Sequence, residues 1–145
     1  MTFRFSLQKI VDLKGNQKRQ AQWHLSDAIT ALHKEQTSLT ALLNEQRLQQ
    51  SRIQEAAGKP TPILQLQELQ DYAEHLQRRI ESQSREVNRA QGHVDSKQQQ
   101  LIECSRDEKV WQKAREKAYV AHHALELKRE QETLDEVATM RFGFQ

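Results

Sequence analysis

Residues that break helices are scarce in this chain of 145 residues, which contains only two prolines and four glycines. Both prolines and one glycine fall in a single stretch, AAGKPTP, from Ala56 to Pro62. Proline lacks the amide hydrogen that a helix interior needs, and glycine leaves the helical conformation most readily. The chain therefore has one predicted break, at residues 58–62, with long uninterrupted segments on both sides of it.

Features of secreted and membrane-spanning proteins are also missing. The single cysteine, Cys104, cannot form a disulfide within one chain, which favours a reducing compartment. No apolar run approaches the ~20 residues that a transmembrane helix needs. The start, MTFRFSLQKIVDL, is too charged for a signal peptide. We therefore expect the protein in the cytosol.

The composition argues against both a thick core and disorder. Only 36% of the residues are hydrophobic, 29% are charged, and the mean hydropathy is −0.92. The 22 basic and 20 acidic residues are interspersed, which is typical of a solvated helix surface. Because neither a basic stripe nor clustered aromatics appear, a nucleic-acid partner is not expected.

A seven-residue repeat predicts a first helix over about residues 5–57. Its main series is apolar apart from two polar members, and a second apolar series flanks it four residues on. The main series is Val11, Lys18, Leu25, Leu32, Leu39, Gln46 and Ile53; the flanking residues are Ile29, Leu43 and Ala57.

A longer repeat predicts a second helix over about residues 63–140. Its steps alternate between three and four residues, which is the spacing of a coiled-coil seam. After Leu125 the phase changes, since Leu127, Leu134 and Val137 belong to another series. The predicted seam is Leu69, Ala73, Leu76, Ile80, Gln83, Val87, Ala90, Val94, Lys97, Leu101, Cys104, Glu108, Trp111, Arg115, Ala118, His122 and Leu125.

The short break predicts how the two helices meet. We expect a single all-α domain over residues 1–145, an antiparallel coiled-coil hairpin with a longer, overhanging second helix. Gly58 in a left-handed conformation would close the first helix. Thr61 would cap the second helix, with Pro62 in its first turn. Residues after about Lys117 would have no partner arm, so a second molecule is expected to bind there.

Candidate catalytic and metal-binding residues do not form recognisable sites. Gly58-Lys59 lacks the other residues of a phosphate-binding loop. The six histidines show no pair at the four-residue spacing that suits a metal on one helix face. Cys104 lies in the predicted seam, where no pocket would serve a nucleophile. We therefore predict a protein that is not an enzyme, with no cofactor, no metal and no small-molecule substrate.

Aromatic residues allow two interpretations at the N-terminal end. The cluster there closes the open end of the hairpin, or part of it meets a partner, because aromatic anchors dominate interfaces. Trp23 and Tyr72 lie just off their seams and are expected to be exposed. The cluster comprises Phe3, Phe5, Leu7, Ile10 and Val11, opposite Trp111, Ala114 and Ala118.

Both ends of the sequence carry a family resemblance. The opening MTFRFSLQKIVDLKGNQKRQAQ and the later WQKAREKAYVAHHALELKREQETLDEVATMRF resemble the flagellar export protein FliJ. The resemblance implies a non-enzymatic component of flagellar type III export, similar to the stalk of the gamma subunit of rotary ATP synthases. Its implied partners are the hexameric export ATPase, the membrane export gate and export chaperones. Its implied location is the cytoplasm, peripherally at the cytoplasmic face of the membrane at the flagellar base.

The resemblance also implies contact residues at two places, and rivals remain. The gate would meet Tyr72 and Leu76. One rival is the stalk protein of virulence type III secretion, and another is a coiled-coil tether or scaffold without a ring partner. The residues that would face the ATPase ring are Phe3, Phe5, Leu7, Lys9, Arg115, Lys128, Asp135 and Glu136.

Overall fold

The computed structural model describes residues 3–143, most of which lie in two long helices. Helix α1 spans Gln8–Ala57 with 50 residues, and helix α2 spans Ile63–Gly143 with 81 residues. No strand occurs between residues 3 and 143. Strong helix formers, among them Ala, Leu, Gln, Glu, Lys and Arg, dominate both segments. The predicted all-α helical hairpin with a longer second helix is confirmed.

Helix α1 begins at Gln8, three residues after the predicted start. The amide of Gln8 donates to the carbonyl of Phe5 over 3.0 Å, and that of Ile10 donates to Leu7 over 2.9 Å. These bonds span three residues, so a tighter turn leads into the helix. Phe3 and Phe5 precede α1 in backbone without regular secondary structure.

The turn uses different capping from that predicted. Gly58 has no positive φ; its amide instead continues the helical pattern, donating to the carbonyls of Gln54 and Glu55 over 3.1 and 3.2 Å. The Thr61 hydroxyl donates to the Ala56 carbonyl over 2.7 Å, so it stabilises the end of α1. The Pro62 carbonyl accepts from the Leu66 amide, which places Pro62 at the N-cap position of α2.

The residues of the hairpin fall into two compact units. Unit 1 contains the chain up to Gln20 and from Ile102 on; unit 2 contains Ala21–Leu101. In unit 2, the Gln83 side chain donates to the Glu35 carbonyl over 3.0 Å. Nearer the turn, Gln49 donates to Leu69 over 2.8 Å. Because the α2 partner number falls as the α1 number rises, the helices of unit 2 are antiparallel.

Unit 1 has the same antiparallel order. The Arg115 Nε donates to the Gln8 Oε1 over 2.8 Å, and the Lys14 Nζ lies 3.0 Å from the Asp107 Oδ2. The pairing partner on α2 therefore again moves toward lower numbers as α1 proceeds. Of the described residues of unit 1, Val11 is the one buried hydrophobic side chain.

Burial along α2 follows the predicted seam closely. Every predicted position from Leu69 to His122 is buried or half-buried. Leu125 is the exception, because 54% of it is exposed and the half-buried position after His122 is Glu126. The buried face therefore continues to Glu126, with a step of four residues from His122 where the predicted step was three.

Burial along α1 agrees with the main series of the predicted stripe and contradicts the flanking series. The main series from Val11 to Ile53 is buried or half-buried, but Ile29, Leu43 and Ala57 are exposed. Positions three and four residues beyond the main series lie on opposite sides of it. Helix α2 covers the side three residues on, which consists of Lys14, Ala21, Ala28, Glu35, Leu42, Gln49 and Ala56.

Candidate partner-binding site

The N-terminal residues lie against α2 farther along than predicted. The Phe3 ring meets the Tyr119 ring edge-on with centroids 5.3 Å apart, and the His122 ring lies 5.4 Å away. The non-helical residues before α1 carry Phe3 this far. The expectation that α2 lacks a partner after about Lys117 is therefore wrong, because contact continues to His122.

Arg115 joins this aromatic cluster to α1. Its guanidinium carbon lies 5.7 Å from the centre of the Phe3 ring, a distance at which a cation is attracted to the ring face. Its Nε also donates to Gln8. Arg115 is half-buried, so two contacts restrain its side chain while part of it remains accessible to a partner.

His122 and Glu126 extend the cluster by one helical turn. The His122 Nε2 lies 3.1 Å from the Glu126 Oε1. That Nε2 is buried and makes no hydrogen bond of good geometry, so the pair is a close polar contact. The four-residue spacing of this pair is visible in the sequence. Tyr119, by contrast, lies off the seam, and no sequence signal marked it as a neighbour of Phe3.

The remaining predicted ring residues are accessible. Leu7, just before α1, and Lys9, in its first turn, are exposed, whereas Phe5 is half-buried. Lys128, Asp135 and Glu136 are exposed on α2. The structure thus places all eight candidate ring residues in unit 1. It groups Phe3 with Arg115 directly, whereas Lys128, Asp135 and Glu136 lie farther along α2.

From Leu127 to Gly143 every described residue of α2 is exposed. Leu127, Leu134 and Val137, which the phase change singled out, are 53%, 63% and 48% exposed. Large apolar side chains that stay in water mark contact surfaces when they form a continuous patch. This segment can therefore bind a partner through apolar and charged side chains together.

The two candidate gate residues differ in accessibility. Tyr72 is partly exposed, and its hydroxyl lies 3.3 Å from the Glu45 Oε1. Leu76 is 0% exposed. A fully buried leucine packs the seam of unit 2 and offers no surface, so the expected contact through Leu76 conflicts with its position. Tyr72 remains a candidate.

The histidine, cysteine and carboxylate side chains of residues 3–143 do not form a metal site. No set of three His, Cys, Asp or Glu side chains there is placed to hold a metal ion. Cys104 is a free, half-buried thiol in the seam. Within the same residues, no helix combines the length and hydropathy of a membrane span.

One comparison with known proteins identifies the family. A family model described as "Flagellar FliJ protein" matches residues 3–145. The chain belongs to the FliJ family. Members of this family are structural components of flagellar protein export, so the chain is a component of that system. No curated protein and no solved structure matches the chain.

Proposed function

We propose that this FliJ-family chain is the stalk of the flagellar export ATPase. The end that holds unit 1 enters the pore of the hexameric ring, and Tyr72 in unit 2 meets the membrane export gate. Export chaperones are further partners. The protein acts in the cytoplasm and associates peripherally with the membrane at the flagellar base.

The observation that carries this proposal is the exposed end of α2. From Leu127 to Gly143 none of the described residues covers the helix, and apolar side chains stay in water beside charged ones. A helix end of this kind supports insertion into another protein, because its apolar side chains gain by leaving water. Its mixed charges allow many shallow contacts, each weak at an exposed site.

The N-terminal cluster supports the same assignment. Phe3 and Arg115 hold the non-helical N-terminal residues beside α2, so both ends of the chain can enter one pore together. Arg115 and Lys9 supply positive charge near the cluster, while Asp135 and Glu136 supply negative charge farther along. The family match favours flagellar export over the related virulence systems.

A truncation tests the ring assignment. We expect deletion of residues 128–145 to leave the hairpin helical, because the residues buried between α1 and α2 end near Glu126. The same deletion should abolish stimulation of ATP hydrolysis when the chain is titrated into the purified export ATPase. Full stimulation by the truncated chain would contradict ring insertion by this end.

A substitution in unit 2 provides the matched control. Tyr72→Ser removes a partly exposed ring in unit 2, whereas the truncated segment belongs to unit 1, so we expect normal ATPase stimulation and weaker pull-down of the export gate protein. If neither variant changes any interaction with the ATPase or the gate, a tether without a ring partner becomes the better function.

A further inference from the structure

The exposed part of α2 carries a second, largely apolar stripe that is not buried in the hairpin. Its positions advance by alternating steps of four and three residues, the same period as the seam. All of them are exposed, including Leu127 and Leu134. The stripe, called stripe B here, consists of Val120, Ala124, Leu127, Gln131, Leu134, Ala138 and Arg141.

Stripe B lies on the far side of α2 from α1. With 3.6 residues per turn, the half-buried positions 118, 122 and 126 face about 110–170° away from the stripe. Helix α1 and residues 3–7 therefore do not cover it. A second helix with the same period fits such a stripe, because knobs-into-holes packing needs matching spacing on both sides.

The charges beside stripe B select the orientation of that second helix. In an antiparallel pair of identical helices, with Leu127 facing Ala138 and Gln131 facing Leu134, Lys128 of each copy lies beside Asp135 of the other. Twofold symmetry forms this ion pair twice. A shift of the register by one heptad in one direction places the two Lys128 side chains beside each other. The same shift in the other direction places the two Asp135 side chains beside each other, and both arrangements are repulsive.

Parallel pairing is disfavoured by the same side chains. In a parallel, in-register pair, Glu130 of one helix flanks Asp135 of the other, and two like charges meet on each side. The antiparallel register also sets Leu127 against the small side chain of Ala138 and Leu134 against Gln131. Both copies of α1 stay clear, since they lie on the opposite faces.

We propose that stripe B is a self-association surface, through which two copies of this chain pair antiparallel over residues 124–141. The proposal goes beyond the stalk function and does not depend on it. The surface is small and partly polar, so we expect a reversible dimer with a Kd on the order of 10–100 μM.

Sedimentation equilibrium of the full chain alone tests the proposal. Over about 1–200 μM the wild-type protein should pass from monomer to dimer. Leu134→Asn places an amide in the centre of stripe B and should weaken dimerisation by roughly tenfold or more. Leu125→Asn is the matched control, because Leu125 is similarly exposed but lies on the other face; it should leave the dimer unchanged.

Charge reversal tests the register. Lys128→Asp alone and Asp135→Lys alone each turn two attractive contacts into repulsive ones, and each should weaken dimerisation by roughly tenfold. An equimolar mixture of the two variants restores both ion pairs, so it should associate more tightly than either variant by itself. Circular dichroism of each variant checks that the helices persist.

Three results would overturn the proposal. They are a wild-type chain that stays monomeric to about 200 μM, a mixture that associates no better than its components, and equal effects of Leu134→Asn and Leu125→Asn. Since no ATPase is present in these measurements, their outcome is independent of the ring assignment.

Discussion

Units 1 and 2 contain parts of the same two helices but join them with different chemistry. In unit 2 the contact contains most of the buried apolar side chains, among them Leu32, Leu76, Ile80 and Val94, together with hydrogen bonds from Gln49 and Gln83. In unit 1 the two helices are joined by ion pairs and an Arg115–Gln8 hydrogen bond, and Phe3, which precedes α1, adds aromatic contacts to α2. Apolar burial is nearly insensitive to salt, whereas exposed ion pairs are weak and screened.

This difference indicates which unit of the hairpin is more stable and which unit can change its contacts. Few buried apolar contacts give low local stability, and binding regions are commonly drawn from such parts of a protein. The candidate ring residues all lie in unit 1. We infer that unit 2 holds the two helices together while unit 1 can change its contacts when a partner binds.

The largest expected effect comes from shortening a buried leucine in unit 2. Leu76→Ala should lower the free energy of unfolding by about 2–5 kcal/mol, because the side chain is fully buried. Leu64→Ala, at a position 68% exposed, should change it by no more than about 0.5 kcal/mol. Urea denaturation followed by circular dichroism measures both. Equal effects would show that buried apolar side chains do not account for the stability of unit 2.

An intermediate effect is expected at the buried polar residue of the same unit. Gln49 is 2% exposed, and its amide group donates to the Leu69 carbonyl. Gln49→Ala removes the donor and leaves a gap, so stability should fall by about 1–3 kcal/mol. The exposed neighbour Gln50 gives the control substitution, Gln50→Ala, which should be nearly silent in the same denaturation experiment.

The smallest effect is expected at the ion pairs of unit 1. A double-mutant cycle of Lys14→Ala and Asp107→Ala should give a coupling energy of about 0.2–1 kcal/mol, since Asp107 is more than half exposed. The coupling should shrink further at high salt. A coupling as large as the Leu76 effect would show that unit 1 is held as firmly as unit 2.

Periodicity in one segment predicted most of the fold. The spacing from Leu69 to His122 identified the buried side of α2, and the proline-containing stretch located the break between the helices. These signals are readable because helical geometry alone determines which positions in a segment share a face. The family resemblance pointed to the ring and gate residues, whose roles remain predictions.

Two predictions failed because they depend on neighbours that the sequence does not name, and a third placed a partner contact on a residue of the predicted seam. The predicted left-handed Gly58 was wrong, because its amide continues the bonds of α1. The end of contact near Lys117 was wrong, because Phe3 reaches His122 through non-helical backbone. The contact through Leu76 was placed on a side chain that the seam fully covers.

The sequence by itself determined that there are two helices, where they break, and which face of α2 is buried. These follow from local spacing and from the conformational limits of proline. Only the tertiary structure decided that α2 covers Ala28 and Gln49 on α1 while Ile29 and Leu43 stay in water. Positions on the two sides of one heptad series are nearly equivalent within a single helix. The helix that packs against them removes that equivalence by covering one side.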